Sequence, residues 1–329
     1  MILCEEMCGS QEVFRFFYTI TIIALSVSMV SCSDDSPSNP ADGVYNGEYG
    51  TVTGKFTTPN GKPISGVEVS VVSNYSNLVT VFSDANGGFT HTKVPVGKQE
   101  IKGAKGNFSA VNQVTIQKNK TANIKDVLIQ PNNKLAYVFG YYDEIQDIIG
   151  ELGYNSFMLS VGDLEDPSKL NYSNYSALFL NCGADDDFNP EVKTTLINFL
   201  KDGGLIYASD LTARYVEFLF PGQFSYLEDG KEQEVMATII DDQIKTNLGK
   251  DKINIVYDLD GWFQIGSISS EFKVIVQGSY YDNRNNLKAD RPLAVYRKEG
   301  KGVLVYTTFH NSVNISDDIK KILEEFIFF

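Results

Sequence analysis

Three side chains in the second half of the sequence have the chemistry for nucleophilic catalysis: Cys182, Ser209 and His310. A thiol or hydroxyl attacks a carbonyl carbon when a neighbouring base removes its proton, and histidine is the side chain that most often serves as that base. The reaction open to such a set is hydrolysis of an ester or amide. One hypothesis is therefore a hydrolase that uses Ser209 or Cys182 with His310.

The residues around both candidate nucleophiles argue against that enzyme. A reactive cysteine needs a cation, a base or a helix N-terminus to lower its pKa, whereas the three acids at residues 185–187 would raise the pKa of the Cys182 thiol. A serine nucleophile at a strand-to-helix turn is flanked by glycines in the pattern G-x-S-x-G, but Tyr207 and Leu211 stand at those positions around Ser209. We predict that the protein has no catalytic residues.

The same region carries residues that suit ligand binding. We predict a binding rim of five residues: Asp185, Asp210, Arg214, Trp262 and His310. The acids at 185–187 could bind a divalent cation, but consecutive side chains point in different directions, which favours a solvated loop. We therefore predict no metal site and no cofactor. Trp262, the only tryptophan, fits either a sugar or peptide surface shared with Tyr280 and Tyr281 or the core.

Residues 177–212 form the unit that would position these side chains. Between two apolar runs, one face of a helical period carries Val192, Leu196, Ile197 and Leu200. Asn189 and Pro190 are expected to begin this helix, and the glycine pair at 203–204 is expected to end it. The pattern predicts a strand, helix and strand of a parallel sheet, and open α/β sheets bind ligands at the carboxyl ends of such strands.

Residues 131–329 are predicted to be an α/β domain built around that unit. Strands are expected at 134–140, 156–160, 272–277, 293–297 and 302–308. Helices are expected at 142–152, 213–220 and 316–326, with a helix or a cap over the sheet edge at 232–248. This order predicts a flavodoxin-like fold, in which five to seven strands form a mainly parallel sheet with helices on both faces.

The order of elements in residues 131–329 resembles the class I glutamine amidotransferase family. The resemblance would place Ser209 and Asp210 at the nucleophile turn, residues 181–183 at the oxyanion turn, and His310 at the family's histidine. Active members have a cysteine at the nucleophile turn and an acid two residues after the histidine, where this sequence has Ser312. The resemblance therefore implies an amidotransferase-like domain that lacks the catalytic cysteine, a pseudoenzyme. The alternative is a hydrolase or amidotransferase-like enzyme that uses Ser209 or Cys182 with His310.

Residues 50–130 show a different pattern, with short alternating runs separated by turn residues. This spacing predicts an antiparallel β-sandwich. Three segments occur in order: 61–69 (GKPISGVEV), 83–89 (SDANGGF) and 94–98 (VPVGK). They resemble the signatures of the carboxypeptidase regulatory-like domain. That family implies a carbohydrate-binding-like fold, which usually acts as a spacer beside another module.

The first residues indicate export and lipid attachment. Residues 16–30 (FFYTITIIALSVSMV) suit the apolar part of a signal peptide. They are fewer than the roughly 20 apolar residues that a transmembrane helix needs. Residues 29–32 (MVSC) resemble a bacterial lipobox, which predicts a signal peptide at 1–31 and a lipid on Cys32. Residues 33–36 (SDDS), which contain two adjacent aspartates, resemble an acidic export signal, and residues 32–49 are predicted to be a flexible tether. We predict an outer-membrane lipoprotein at the cell surface.

The net charge and the cysteine content limit the kinds of partner and the disulfides that we expect for this protein. A formal net charge of −14 excludes a role that depends on attraction to nucleic acid. We therefore expect membrane contact through the N-terminal lipid and a glycan or protein partner for the α/β domain. Cys4 and Cys8 lie in the predicted signal peptide, and Cys32 would carry the lipid. The mature chain would therefore keep Cys182 as its single free thiol and form no intrachain disulfide.

Overall fold

The structure, a computed structural model, describes residues 43–186, 188–311 and 315–329. The signal peptide, Cys32, residues 33–42 of the tether, Asp187 and Ser312 lie outside the described residues. Within the described ranges, no helix combines the length and apolar character needed to cross a membrane.

Residues 49–131 form two β-sheets that pack face to face. One sheet has the strand order β4-β1-β7 and the other β3-β2-β5-β6-β8. The strands are β1 Tyr49–Thr57, β2 Glu68–Val71, β3 Val81–Phe82, β4 Gly88–Pro95, β5 Gly97–Lys105, β6 Phe108–Ile116, β7 Thr121–Leu128 and β8 Gln130–Pro131. All pairs are antiparallel except β1 with β7. The expected sandwich is present, with one parallel pair that alternation cannot reveal.

The turn at residues 84–88 shows why its sequence suits a hairpin. Asp84 Oδ1 accepts hydrogen bonds from the backbone N–H groups of Asn86 at 2.8 Å and Gly88 at 3.0 Å. Gly87 has a φ of +75°, and a Cβ there would lie 2.4 Å from the carbonyl oxygen of Phe56, so only glycine fits. The chain then returns into the core, where Phe89 stacks on Phe56 at 5.0 Å.

The α/β domain, residues 132–329, is built on a nine-stranded sheet of order β10-β9-β11-β12-β19-β18-β17-β14-β15. Its strands are β9 Lys134–Val138, β10 Ser156–Leu159, β11 Tyr175–Leu180, β12 Leu205–Ser209, β14 Gln233–Ile239, β15 Lys252–Tyr257, β17 Phe272–Tyr281, β18 Leu287–Glu299 and β19 Gly302–Thr307, beside a separate pair, β13 Phe224–Leu227 and β16 Gln264–Ile268. The first five strands of the sheet are parallel. The remaining four are antiparallel and carry the sheet beyond the five to seven strands expected.

Helices cover both faces of this sheet, as expected. One face packs against α1 Ile145–Glu151, α4 Asp242–Leu248 and α5 Asp317–Ile327, and the other against α2 Pro190–Asp202 and α3 Ala213–Leu219. The Asn189 side chain accepts from the Val192 N–H at 2.9 Å and caps α2, and Gly203 ends it at a φ of +124°. The expected boundaries of this helix are confirmed because its capping residues are local signals.

The expected helix at 232–248 is wrong over its first half. Residues 233–239 are strand β14, in which Val235, Ala237 and Ile239 are buried and alternate with more exposed neighbours. This period of two is typical of a strand with one buried face. Only α4, which Asp241 caps, is helical.

The described residues of the sandwich and the α/β domain belong to one compact unit, and their apolar cores are continuous. The Asn107 Nδ2 atom donates to the carbonyl oxygens of Ser176 at 2.8 Å and Gly203 at 2.9 Å. The Phe108 ring of the sandwich meets the ring of Phe328 at the end of α5, with centroids 4.7 Å apart. The sandwich therefore braces the α/β domain by direct packing.

Candidate functional site

Three polar side chains meet where three neighbouring strands end. Cys182 lies two residues after β11, Asp210 directly after β12, and His310 three residues after β19. These strands are parallel neighbours in the sheet, so their carboxyl ends reach the same edge. The structure therefore brings together Cys182, Asp210 and His310, three residues that are far apart in the sequence.

Asp210 is the centre of this group. Its Oδ2 atom lies 3.5 Å from the Cys182 sulfur, which donates to it, and 3.6 Å from Nδ1 of His310. Its Oδ1 atom accepts from the Phe263 N–H at 2.7 Å. The residue has a φ of +44°, in the left-handed region that costs a non-glycine residue about 1–3 kcal/mol. Such strain is common at functional sites.

Burial sets the protonation of this group. Loss of solvent raises the pKa of Asp210 to about 6, although the positive potential of His310 partly opposes the shift. Burial, followed by the negative charge of Asp210, raises the pKa of the Cys182 thiol far above its usual value. A thiol that stays protonated at neutral pH is a poor nucleophile. In this environment Cys182 is a hydrogen-bond donor.

Ser209 lies on the other side of the same strand end. Its Oγ atom donates to Oδ2 of Asp143 at 2.5 Å, and both side chains are buried. The Asn311 N–H donates to the other oxygen of Asp143 at 3.2 Å, and burial raises the pKa of this carboxyl group. His310 therefore faces Asp210, while the Ser209 hydroxyl is bound to a buried carboxyl group.

Asp143 was missed by the sequence analysis. It lies in the loop after β9, the strand next to β11. The available signal was an acid that follows a parallel strand, but no motif surrounds it. Sequence spacing alone could not show that its carboxyl group meets Ser209.

A cleft of about 310 Å³ opens above the three side chains. Its other lining residues come from the loops after β9, β12 and β15 and include Tyr142, Leu211, Asp258, Asp260 and Trp262. Clefts of this size at the carboxyl ends of parallel strands are common ligand sites. Of the five predicted rim residues, the cleft is lined by Asp210, Trp262 and His310.

Asp185 and Arg214 are placed differently. Arg214 Nη1 is 2.8 Å from Oδ2 of Asp186, and its guanidinium lies 5.2 Å from the ring centre of Phe263. The Asp185 carbonyl oxygen accepts from the Tyr215 hydroxyl at 2.8 Å. Both residues are on the helix α3 side of the strand ends and do not line the cleft.

Trp262 is part of the core that supports the cleft. Its side chain is 4% exposed and stacks on Tyr257 with ring centres 3.9 Å apart. Its Nε1 donates to the Lys231 carbonyl oxygen at 2.9 Å. Tyr280 is also buried, and its ring lies 5.0 Å from Trp262, whereas Tyr281 is exposed. Trp262 therefore packs in the core, as one of its two sequence-based interpretations expected.

An exposed aromatic cluster, which we call the aromatic platform, lies beside the cleft. It consists of Phe139, Tyr141 and Tyr142, which are 51%, 73% and 51% exposed. The rings of Phe139 and Tyr141 are 5.3 Å apart, and Tyr142 lines the cleft itself. Exposed apolar clusters of this kind mark binding surfaces. Sequence patterns place Phe139 at the end of a predicted strand and Tyr142 at the start of a predicted helix, and they give no sign of the platform.

Comparison with known families identifies the first domain. Residues 51–129 match the sequence profile of the carboxypeptidase regulatory-like domain, and this segment is such a domain. A search of curated protein sequences found no significant match.

Three similar solved structures each cover between 55% and 60% of this chain. A ThuA-like protein from Bacteroides uniformis shares 11% identity over 60% of this chain and 90% of its own, with a TM-score of 0.47. A ThuA-like protein from Parabacteroides merdae shares 13% over 59% and 88%, with a TM-score of 0.45. A glutamine amidotransferase from Thermotoga maritima shares 12% over 55% and 76%, with a TM-score of 0.37. The sheets and helices of the chain itself confirm the predicted fold class, a β-sandwich followed by an α/β domain.

Proposed function

We propose that this protein is a non-enzymatic binding protein, anchored at the cell surface, whose α/β domain binds a glycan in the cleft. The observation that carries this proposal is the aromatic platform at the mouth of a cleft with acidic walls. Aromatic faces pack on the apolar face of a sugar ring, and carboxylate oxygens accept hydrogen bonds from its hydroxyl groups. The platform and the cleft supply both kinds of contact in one place.

The charge of the cleft selects the type of glycan. Asp210, Asp258 and Asp260 line it together with His310, and lysine and arginine are missing from its lining among the described residues. Buried or partly buried carboxylates repel phosphate, sulfate and uronic acid groups. We therefore expect a neutral or amino sugar.

The surroundings of the candidate nucleophiles support a binding role over catalysis. Cys182 is a buried thiol beside a carboxyl group, and Ser209 is bound to Asp143. The resemblance to amidotransferases would put Asp210 at the turn where active members have a cysteine. We infer that the strained turn is retained in this domain with a binding residue in place of the nucleophile.

Attachment of the protein to the outer membrane is proposed from residues outside the described ranges. Cys32 would carry the lipid and residues 33–49 would serve as the tether below the sandwich. Metabolic labelling with a fatty-acid analogue tests this proposal. We expect label in the wild-type chain and none in Cys32→Ala. An unlabelled wild type, or label that survives the substitution, would contradict lipid attachment.

A glycan array probed with the full chain in detergent tests the binding role. We expect binding to neutral or amino sugars, and loss of the signal in the double variant Tyr141→Ala, Tyr142→Ala. Phe157→Ala is the matched control, because Phe157 is an exposed aromatic residue on strand β10 that does not line the cleft. Absence of glycan binding by the wild type, or equal loss in the control, would reject the proposal.

A further inference from the structure

We propose that Cys182, Asp210 and His310 bind a zinc ion whose fourth coordination position faces the cleft. Their candidate ligand atoms, a sulfur, a carboxylate oxygen and an imidazole nitrogen, all lie within 4.8 Å of one another. The proposed site departs from the sequence-based expectation that the protein has no metal site. It does not depend on the proposed glycan.

Two of the three separations between ligand atoms fit tetrahedral coordination. Zinc bonds of about 2.3 Å to sulfur and about 2.1 Å to nitrogen or oxygen imply distances of about 3.4–3.6 Å between neighbouring ligand atoms. The Asp210 Oδ2 atom lies 3.5 Å from the Cys182 sulfur and 3.6 Å from the His310 Nδ1 atom. The third separation, between the sulfur and the imidazole nitrogen, is no more than 4.8 Å.

One of the three candidate ligand atoms, Nδ1 of His310, makes no hydrogen bond to the described residues. The atom is buried. A buried polar atom without a partner costs about 1–3 kcal/mol, so such atoms usually have a function or a ligand. This nitrogen lies beyond the end of strand β19 and faces Asp210. A metal ion bound between the three side chains would use it as a ligand.

The charges of the site also favour a cation. Asp143 and Asp210 are both buried, and among the described residues the only ion-pair partner found for either is His310. Buried carboxylates are normally paired with a cation or bound to a metal. A divalent ion at this position would balance the charges of Asp210 and of the Cys182 thiolate, which forms on binding as the thiol proton leaves to solvent.

The ligand types select zinc among biological cations. Calcium and magnesium prefer sites made of oxygen atoms, whereas thiolate and imidazole together favour zinc. Three protein ligands with a fourth position open to a cleft are typical of zinc sites that exchange a water or ligand oxygen. The cleft of about 310 Å³ provides that opening.

Metal analysis of the full chain tests this inference. The chain would carry serine at Cys4, Cys8 and Cys32, so that Cys182 is the only thiol. We expect one zinc per chain by mass spectrometry, and a thiolate-to-metal charge-transfer band after cobalt replaces the zinc. Cys182→Ser should remove the band, and both Cys182→Ser and His310→Gln should bind zinc at least about 100-fold more weakly. Asp185→Asn is the control, because Asp185 lies near the site in sequence but outside the cleft.

The outcomes are distinguishable from those of the proposed function. Zinc bound without any glycan would leave the metal site standing and reject the binding role, and the reverse result would reject only the metal site. A wild-type chain without zinc, a preference for calcium or magnesium, or zinc affinity unchanged in both Cys182→Ser and His310→Gln would overturn the inference.

Discussion

The hydroxyl group of Ser209 and the carboxyl group of Asp143 form a 2.5 Å hydrogen bond beneath the cleft. The contact occupies the hydroxyl that a serine hydrolase would direct at its substrate. Both side chains are buried, and His310 lies beside Asp210 instead. The pair therefore stabilises the strand ends from which the cleft is built.

Substitution of this serine should change stability and leave ligand binding intact. Ser209→Ala removes a hydrogen bond to a buried carboxyl group, so we expect the free energy of unfolding in urea to fall by about 1–3 kcal/mol. Ser225→Ala, which removes an exposed hydroxyl bonded to Ser267, should change it by less than about 0.5 kcal/mol. A wild-type hydrolytic activity on any ester, amide or glycan that Ser209→Ala abolished would contradict this account.

The joint between the two domains depends on a largely buried ion pair. Lys105 of the sandwich lies 2.7 Å from Glu325 of helix α5, and the two side chains are 10% and 14% exposed. Lys105→Ala would leave the Glu325 carboxylate with the side chain of Asn247, which donates to it at 2.8 Å. We expect a loss of about 3 kcal/mol in unfolding free energy, the lower end of the range for broken buried pairs.

The matched control for that substitution is another lysine of the sandwich. Lys118 pairs with Glu48, and both side chains are exposed to solvent. Lys118→Ala should therefore cost less than about 1 kcal/mol. Equal losses of unfolding free energy in the two variants, measured by urea unfolding, would mean that the interdomain pair stabilises the protein no more than a solvent-exposed pair does.

The stability of the sandwich should depend on pH through His91. Burial lowers the pKa of this imidazole below its usual 6.5, although a hydrogen bond with the Val79 carbonyl oxygen opposes the shift. The unfolded chain then binds more protons than the folded chain below pH 6.5, so stability is lost as the pH falls through that range. We expect wild type to lose more unfolding free energy than His91→Gln between pH 7.5 and 5. Parallel curves for the two proteins would contradict this assignment.

Much of the fold could be predicted because its signals are local. The caps of α2 at Asn189 and Gly203 and the hairpin at Asp84 are set by neighbouring residues. Strand β14 could not be predicted, because residues 232–239 (EQEVMATI) contain good helix formers and become a strand only through pairing with β15 and β17. Pairing with distant strands therefore determines the secondary structure of that segment.

The candidate site was predictable in part for the same reason. The convergence of Cys182, Asp210 and His310 follows from the rule that parallel strands end at one edge of the sheet. The contact of Asp143 with Ser209 and the exposure of the platform at Tyr141 depend on how loops pack, and one sequence does not encode that in a motif. Trp262 could not be assigned to core or surface until its contact with the buried Tyr257 was known.

Calorimetric titration of the full chain with the strongest glycan found on the array tests the central claim most directly. If the platform and cleft form the site, Tyr142→Ala should bind about tenfold more weakly, on the order of 1.4 kcal/mol, while Phe157→Ala binds as wild type does. Equal affinity of wild type and Tyr142→Ala for that glycan would show that the cleft is not the glycan site.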